Sequence, residues 1–425
     1  MRIVVWGTGQ TGLATAEEMI RQGHEVRLVD EKVCRDAGSI PVKPLEREDI
    51  RWADLVIPSP GIPRFHPLLV EAKKVLSEIE VASSLMTGTL IAITGSNGKT
   101  TTTTLIHRIL EKAGLDAGIG GNISPPLISL VQRNPRYVVA EISSFQLEWI
   151  EKFRPHICVC LNITPDHLDR YRDMDEYVFF KKIIFKNQTT SDIAVVSDDD
   201  PYLKELEGTA KRIAFSFSRP ATTDGAYIMG SRIYFQGGIE GEGPKIPEGN
   251  HISKGLKEDM LASALVARLL GVDSKVSEEV FAAFKGIHHR FEYVATVGGV
   301  TFIDDSKATN VGAVDTALAG MDGPVILILG GKDKGGDFGP IAEQHKGKIR
   351  KCLVIGEAKE RIMGEVSGIV DAAGAADMQQ AVSLAFESAV RGDTVLLSPG
   401  CASFDMYKSY AHRGEVFQGC VHAIK

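Results

Sequence analysis

No stretch of 18 or more apolar residues occurs in the 425-residue sequence, so no segment reads as a membrane-spanning helix. Cysteine is sparse. The six, Cys34, Cys158, Cys160, Cys352, Cys401 and Cys420, form no CxxC pair. Cys158 and Cys160 fall on one face of an expected strand, a poor geometry for zinc, and all six read as free thiols of a reducing cytoplasm. No secretory leader is expected either, since Met1–Gly7 runs directly into an apolar strand and a glycine turn. Basic charge is not in excess, with 48 Lys and Arg against 55 Asp and Glu, which argues against nucleic-acid or anionic-membrane partners. There is no short repeat. The balance of 44% hydrophobic and 24% charged residues excludes disorder, collagen and coiled coil as the main architecture. What remains is a globular chain with room for about two to four domains.

Three blocks open with an apolar run, a glycine-rich turn and a helical pattern. The first is Arg2 to Trp6 followed by Gly7-Thr8-Gly9-Gln10-Thr11-Gly12, with a second strand ending at Asp30 and a third entering Pro58-Ser59-Pro60-Gly61. The second is Leu90 to Thr94 followed by Gly95-Ser96-Asn97-Gly98-Lys99-Thr100, with strands ending at Glu141 and Asn162. The third begins near Ile287 with a hairpin about Gly298-Gly299, then a βα pattern from Pro324. Helical patterns are expected over 257–271 and 277–285, after loops and hairpins at 219–256. Alternating strands and helices imply parallel sheets with right-handed crossovers.

Gly7-x-Gly9-x-x-Gly12 with Asp30 at the next strand end is a dinucleotide-type pattern. Its glycines let backbone N–H groups approach a diphosphate, and the acid suits a ribose hydroxyl. A plain tight βα turn reads the same way. Gly95 to Thr100 is a phosphate-binding loop that departs from the full form, since Ile93 stands five residues before Gly98. Lys99 can reach terminal phosphates and Thr100 can ligate Mg²⁺. Glu141 and His167, the latter flanked by Asp166 and Asp169, sit at strand ends where metal or phosphate binds, although a lone Glu or His is more often structural. Lys181 lies in an apolar helical stretch, where a snorkelling surface lysine is the bland reading that its surroundings in the sequence do not reject. Three further polar loops, at Asp304–Asn310, Gly330–Gly336 and Ser398–Asp405, follow three strands and describe one crevice.

Together, Thr94–Thr101, Glu141–Gln146, Asp166–Tyr171, Asp305–Asn310 and Ser398–Ser403 resemble the Mur ligase family, in its D-glutamate-adding branch. The resemblance covers essentially the whole chain. It implies an α/β fold in three domains: a Rossmann-like uridine-substrate domain over 1–88, a central P-loop ATPase domain with a parallel sheet over 89–286, and a Rossmann-like amino-acid domain over 287–425. The implied activity is ATP-dependent addition of D-glutamate to UDP-N-acetylmuramoyl-L-alanine through an acyl phosphate, in peptidoglycan precursor synthesis, by a cytoplasmic monomer. Gln10, Thr11, Asp30, Ser59, Gly61 and Asn122 would hold the uridine-linked substrate. Gly95, Asn97, Gly98, Lys99, Thr100 and Thr101 would hold ATP, with Arg290 and Asp305 on its ribose and phosphates. Thr100, Glu141, His167 and a carbamylated Lys181 would hold two Mg²⁺ ions. Lys307, Thr309, Lys334, Ser403 and Tyr410 would bind D-glutamate. The His-Asn pair that the family places before the helix opening Glu258-Asp259 falls here on Gly255-Leu256, so the adenine contact does not carry over.

Three rival readings follow from the same residues. A ligase of the same family with another amino acid keeps every motif. An NAD-dependent dehydrogenase uses the first glycine pattern and Asp30 but leaves the Lys99 loop unexplained. A non-catalytic nucleotide-gated protein keeps both cradles without turnover.

Overall fold

A computed structural model describes residues 1–31, 40–164, 170–220, 224–249, 252–321, 323–333 and 335–424. The chain forms two compact units, Met1–Ile246 with Glu258–Ala282, and Pro247–Lys257 with Ala283–Lys425. The fold is mixed α/β with mainly parallel sheets, as the alternating pattern predicts.

The first unit holds two sheets. One contains β1 (Arg2–Trp6), β2 (Glu25–Asp30), β3 (Val42–Pro44) and β4 (Leu55–Pro58), all parallel, in the order β3-β2-β1-β4. Val4, Trp6, Val29 and Val56 are fully buried on one face, with Ile3, Val5, Leu28 and Ile57 buried on the other. Burial on both faces explains why these strands read as continuous apolar runs. Each such aliphatic side chain contributes about 1.5–3 kcal/mol.

The other sheet contains β5 (Thr89–Thr94), β6 (Ala117–Gly121), β7 (Tyr137–Glu141), β8 (Ile157–Cys160), β9 (Ile193–Ser197), β10 (Lys211–Ser216), β11 (Gly225–Met229), β12 (Arg232–Gln236) and β13 (Gly241–Lys245). Their order is β13-β12-β11-β10-β9-β8-β5-β7-β6. β12 and β13 are antiparallel additions at one rim, and the register between them shifts at Arg232/Tyr234. Chain order reverses about β5, so the crevice at the carboxyl ends of β5, β7 and β8 is a topological switch point. The first sheet has its own reversal between β1 and β4.

The second unit is built on β14 (Glu292–Val297), β15 (Val300–Asp304), β16 (Val325–Gly330), β17 (Ile349–Ile355), β18 (Ala372–Gly374) and β19 (Thr394–Leu397). The order is β14-β15-β19-β16-β17-β18, with β14 antiparallel to β15 as the Gly298-Gly299 turn predicts. β19 inserts between β15 and β16, which brings their three carboxyl ends side by side. The helices expected over 257–271 and 277–285 run instead over Lys254–Leu269 and Ser274–Ala283. The apolar periodicity marks where each helix packs, while its first exposed turn extends beyond that signal.

Candidate active site

β5 delivers the chain into the loop Gly95–Gly98, and the helix Lys99–Lys112 starts immediately after it. Gly95 and Gly98 have φ of +155° and +83°, and a Cβ at Gly98 would lie 2.1 Å from Asp259 Oδ1. Glycine is required here by both conformation and space. Neighbouring loops clamp this one: Asn162 accepts from the N–H groups of Ser96 and Asn97, and Ser96 Oγ lies 2.9 Å from the Tyr177 hydroxyl. Thr102 donates to Asp259 at 3.0 Å from the first turn of the helix. Lys99 Nζ donates to the carbonyls of Gly95 and Ser96 at 2.7 and 2.8 Å, folded back over the cradle it would serve. Thr100 is buried. The helix's first backbone N–H groups and its positive end make the loop an anion site.

At the end of β7, Glu141 is 2% exposed. One carboxylate oxygen accepts from Asn122 at 2.7 Å, while the other, Oε2, is buried without a hydrogen-bond partner among the described residues. A buried carboxylate oxygen left unpaired is costly. Its position next to a phosphate cradle fits a bound divalent cation, to which Glu141 and the Thr100 hydroxyl would offer the hard oxygens that Mg²⁺ takes.

Lys181, which its own stretch of sequence leaves open, is settled as to burial. It is 2% exposed rather than at the surface, and its Nζ donates to Gly95 O at 2.8 Å and lies 4.8 Å from the centre of the Tyr177 ring. The apolar stretch around it faces the sheet, and its stem follows inward. Lys99 and Lys181 therefore converge on one carbonyl.

The first cradle is closed upon itself. Asp30 Oδ2 accepts from the N–H and hydroxyl of Thr8 at 2.9 and 2.8 Å, so the acid at the end of β2 fixes the glycine turn. A Cβ on Gly7 would meet Ser59 Oγ at 2.3 Å, and one on Gly12 would meet the Gly7 carbonyl at 1.8 Å. The loops after β1 and β4 thus touch. Gln10 is exposed and donates to Ser124 Oγ at 2.8 Å, which ties this turn to the loop after β6. Thr11 and Gly61 lie at the same strand ends, and Arg170 donates to the carbonyls of Gly61 and Ile62 while pairing bidentately with buried Glu148. Gln10, Thr11, Asp30, Ser59 and Gly61 are accordingly brought together. Asn122 stands with Glu141, beside the loop of Ser124.

In the second unit, Asp305 follows β15 and is buried against Ser398 Oγ at 3.0 Å and the Phe291 N–H at 3.2 Å. Burial pushes its carboxyl up to about 7, against the hydrogen bonds from Ser398 and Phe291 and the charge of Arg290. The adjacent Asp304 is fully buried and binds His289, Gln418 and the Ser306 N–H. Burial opposes charge on His289, yet its hydrogen bond to Asp304 and the nearby acids outweigh that, and its pKa is raised. Lys307 Nζ lies 5.7 Å from the ring centre of Tyr410, which is 38% exposed. Thr309 is half-buried on the same loop, and Ser403 is buried in the loop after β19. His167 and Lys334 lie outside the described residues.

Sequence reasoning missed Asp259, Arg170 with Glu148, and Arg413. The first sits one helical turn beyond the displaced Gly255-Leu256 pair. The others look like ordinary helix or loop charges, and no spacing marks them as buried. Four of the five described cysteines are buried as expected, with Cys420 partly exposed, and Cys34 lies outside the described residues. Burial pushes Cys160 and Cys352 up to about 12.

A parallel sheet with a phosphate loop at its switch point and a buried acid on the adjacent strand defines a nucleotide-dependent α/β enzyme class. The sequence matches the Mur ligase middle domain over residues 93–250 and the Mur ligase glutamate ligase domain over residues 289–401. It is 38% identical to the UDP-N-acetylmuramoylalanine–D-glutamate ligase of Geotalea daltonii, across 100% of this chain and 97% of that protein. It is 39% identical to the ligase of the same name from Acidobacterium capsulatum, across 99% and 96%. A pseudomurein peptide ligase type C from Methanothermus fervidus matches the fold with a TM-score of 0.62 at 18% identity, covering 100% of both chains. The UDP-N-acetylmuramate-alanine ligase MurC from Thermotoga maritima does so with 0.61 at 17% identity, also covering 100% of both. The chain belongs to the Mur ligase family.

Proposed function

We propose that this chain is an ATP-dependent ligase that joins D-glutamate to UDP-N-acetylmuramoyl-L-alanine during peptidoglycan precursor synthesis. The observation that carries the chemistry is the juxtaposition of the Gly95–Thr100 loop with Glu141, whose unpartnered oxygen is buried at the neighbouring strand end. The relatives of the same length supply the choice of acceptor.

A carboxylate does not condense with an amine at neutral pH, because oxide is too poor a leaving group. Transfer of the γ-phosphoryl group to the L-alanine carboxylate makes an acyl phosphate. The D-glutamate amine attacks it, a tetrahedral intermediate forms, and inorganic phosphate leaves with the amide in place. Lys99 and the loop N–H groups hold the phosphates. Thr100 and Glu141, with His167 and a carbamylated Lys181, would hold two Mg²⁺ ions, which when bound would supply positive charge to offset that on the transferring group. Carbamylation suits Lys181 because a bare ammonium repels a cation whereas an N-carboxylate offers it oxygen. Gln10, Thr11, Asp30, Ser59, Gly61 and Asn122 bind the uridine-linked substrate. Arg290 and Asp305 contact the nucleotide. Lys307, Thr309, Lys334, Ser403 and Tyr410 bind D-glutamate.

These roles divide the chain into functional segments 1–88, 89–286 and 287–425. Among the described residues no helix is long and apolar enough to cross a membrane. We place the reaction in the cytoplasm, performed by a monomer. The decisive experiment is ADP release with the uridine-linked L-alanyl substrate across D-glutamate, L-glutamate, L-lysine and meso-diaminopimelate. Turnover confined to D-glutamate is the expected result, and turnover with another member alone would overturn the acceptor assignment.

A further inference from the structure

Arg413 is among the largest fully buried side chains of the molecule, with no exposed surface. It lies in the first turn of the helix Tyr410–His422, capped by Ser409. The site disfavours a cation twice over. Burial strips the guanidinium of water, and the helix start presents the positive end of the backbone dipole. Burial accordingly pushes Arg413 down to about 10, which still leaves it charged at neutral pH.

Among the described residues no acid forms an ion pair with it. Asp405 and Asp304 act on it only through space. Asp304 is occupied by His289, Gln418 and the Ser306 N–H, and Asp405 accepts from the Glu357 N–H. The guanidinium instead donates to Ser306 Oγ at 3.0 Å, Ser306 O at 2.8 Å, Cys401 O at 3.1 Å, Ala402 O at 3.3 Å and Gly330 O at 3.5 Å. Those acceptors lie on the loops after β15 and β19 and on the last residue of β16, the three strand ends that the β19 insertion places side by side. Ser306 Oγ passes the link onward by donating to the Tyr410 carbonyl at 2.8 Å.

The packing leaves no slack. A Cβ on Gly331 would approach Arg413 Nη1 to 3.0 Å and the Ala402 carbonyl to 2.3 Å, and one on Gly414 would strike His289 Nδ1 at 2.1 Å. No neutral side chain carries five N–H donors in one planar fork, so the geometry calls for arginine, and with no acid paired to it among the described residues the charge that comes with the fork is left uncompensated.

We propose that Arg413 is the positioning residue of the acceptor pocket, locking its three loops in register and biasing it toward a doubly anionic amino acid. The inference rests on the reading that Lys307, Thr309 and Ser403 bind the acceptor. Each is within three residues of an Arg413 acceptor on its own loop. Arg413 acts through these loops and through its field, and touches no reacting atom. A charge held in a poorly screened interior attracts an anion bound nearby by about tenfold in affinity.

The test is steady-state kinetics of Arg413→Met and Arg413→Lys, with D-glutamate and D-glutamine compared as acceptors. The methionine variant should raise the KM for D-glutamate about tenfold or more, leave the KM for the uridine-linked substrate within about twofold, and lose most of the preference for D-glutamate over D-glutamine. The lysine variant keeps the charge without the planar fork, so the preference should return while the KM for D-glutamate stays raised. An unchanged preference in the methionine variant, or an equal rise in the KM for D-glutamate and for the uridine-linked substrate, would overturn the inference. Should that variant fail to fold, Ser306→Ala removes one acceptor of the guanidinium and must shift the KM for D-glutamate without shifting that for the uridine-linked substrate. Failure of the wild type to use D-glutamate sinks the acceptor assignment instead, and the same comparison run with the amino acid it does use, against its uncharged analogue, still reads Arg413.

Discussion

At Asp305 the unfolded chain releases its proton near 3.8, while the folded protein holds it up to about 7. Between those values the native state binds the extra proton. The stability this carboxyl confers is therefore present in acid, falls as pH rises through that window, and levels off above it, by at most ~1.4 kcal/mol per pH unit. Asp305→Asn should flatten this part of the profile. Urea midpoints of variant and wild type, compared across the window, check it, and parallel profiles would refute the buried-acid account. Lys99 makes a different prediction. Its ammonium folds over the phosphate cradle, donating to the Gly95 and Ser96 carbonyls, so Lys99→Ala should cut ADP release by ~100-fold or more. Calorimetric binding of the uridine-linked substrate should be spared, and retained turnover would contradict the ATP assignment.

At the scale of elements, the turn between β5 and its helix is the least forgiving segment. Gly98→Ala places a methyl where Asp259 Oδ1 already stands and forces a non-glycine residue to φ +83°. A loss of about 1–3 kcal/mol of stability is expected, along with most ATP-dependent turnover. A thermal shift assay with and without ATP separates the two effects, and an unaltered transition would show that the loop tolerates the change. The glycine turns, the strands that end in them and the hairpin about Gly298-Gly299 were legible in the sequence because backbone conformation imposes them locally. Glu141 was legible as an acid at a strand end. The inward course of Lys181 was not, since an apolar helix with one lysine looks the same whether the amine points to water or to a carbonyl 86 residues away in the chain. Arg413 and Asp259 were hidden for the same reason: their partners are assembled by sheet order, which periodicity does not encode.

For the molecule as a whole, the proposed ATP loop and the proposed acceptor residues fall in different compact units. Amide formation needs both ligands in one water-free space. A non-hydrolysable ATP analogue added with the uridine-linked substrate should reduce the radius of gyration in small-angle scattering, and an unchanged value would speak against domain closure.

The widest sheet carries a separate consequence at its rims. β13 includes Pro244, which has no N–H to offer, and its pairing with β12 slips at Arg232/Tyr234, while β6 at the opposite rim is only five residues long and rich in glycine. Neither border is a good template for a neighbour's strand, so this sheet offers few openings for fibrillar self-association.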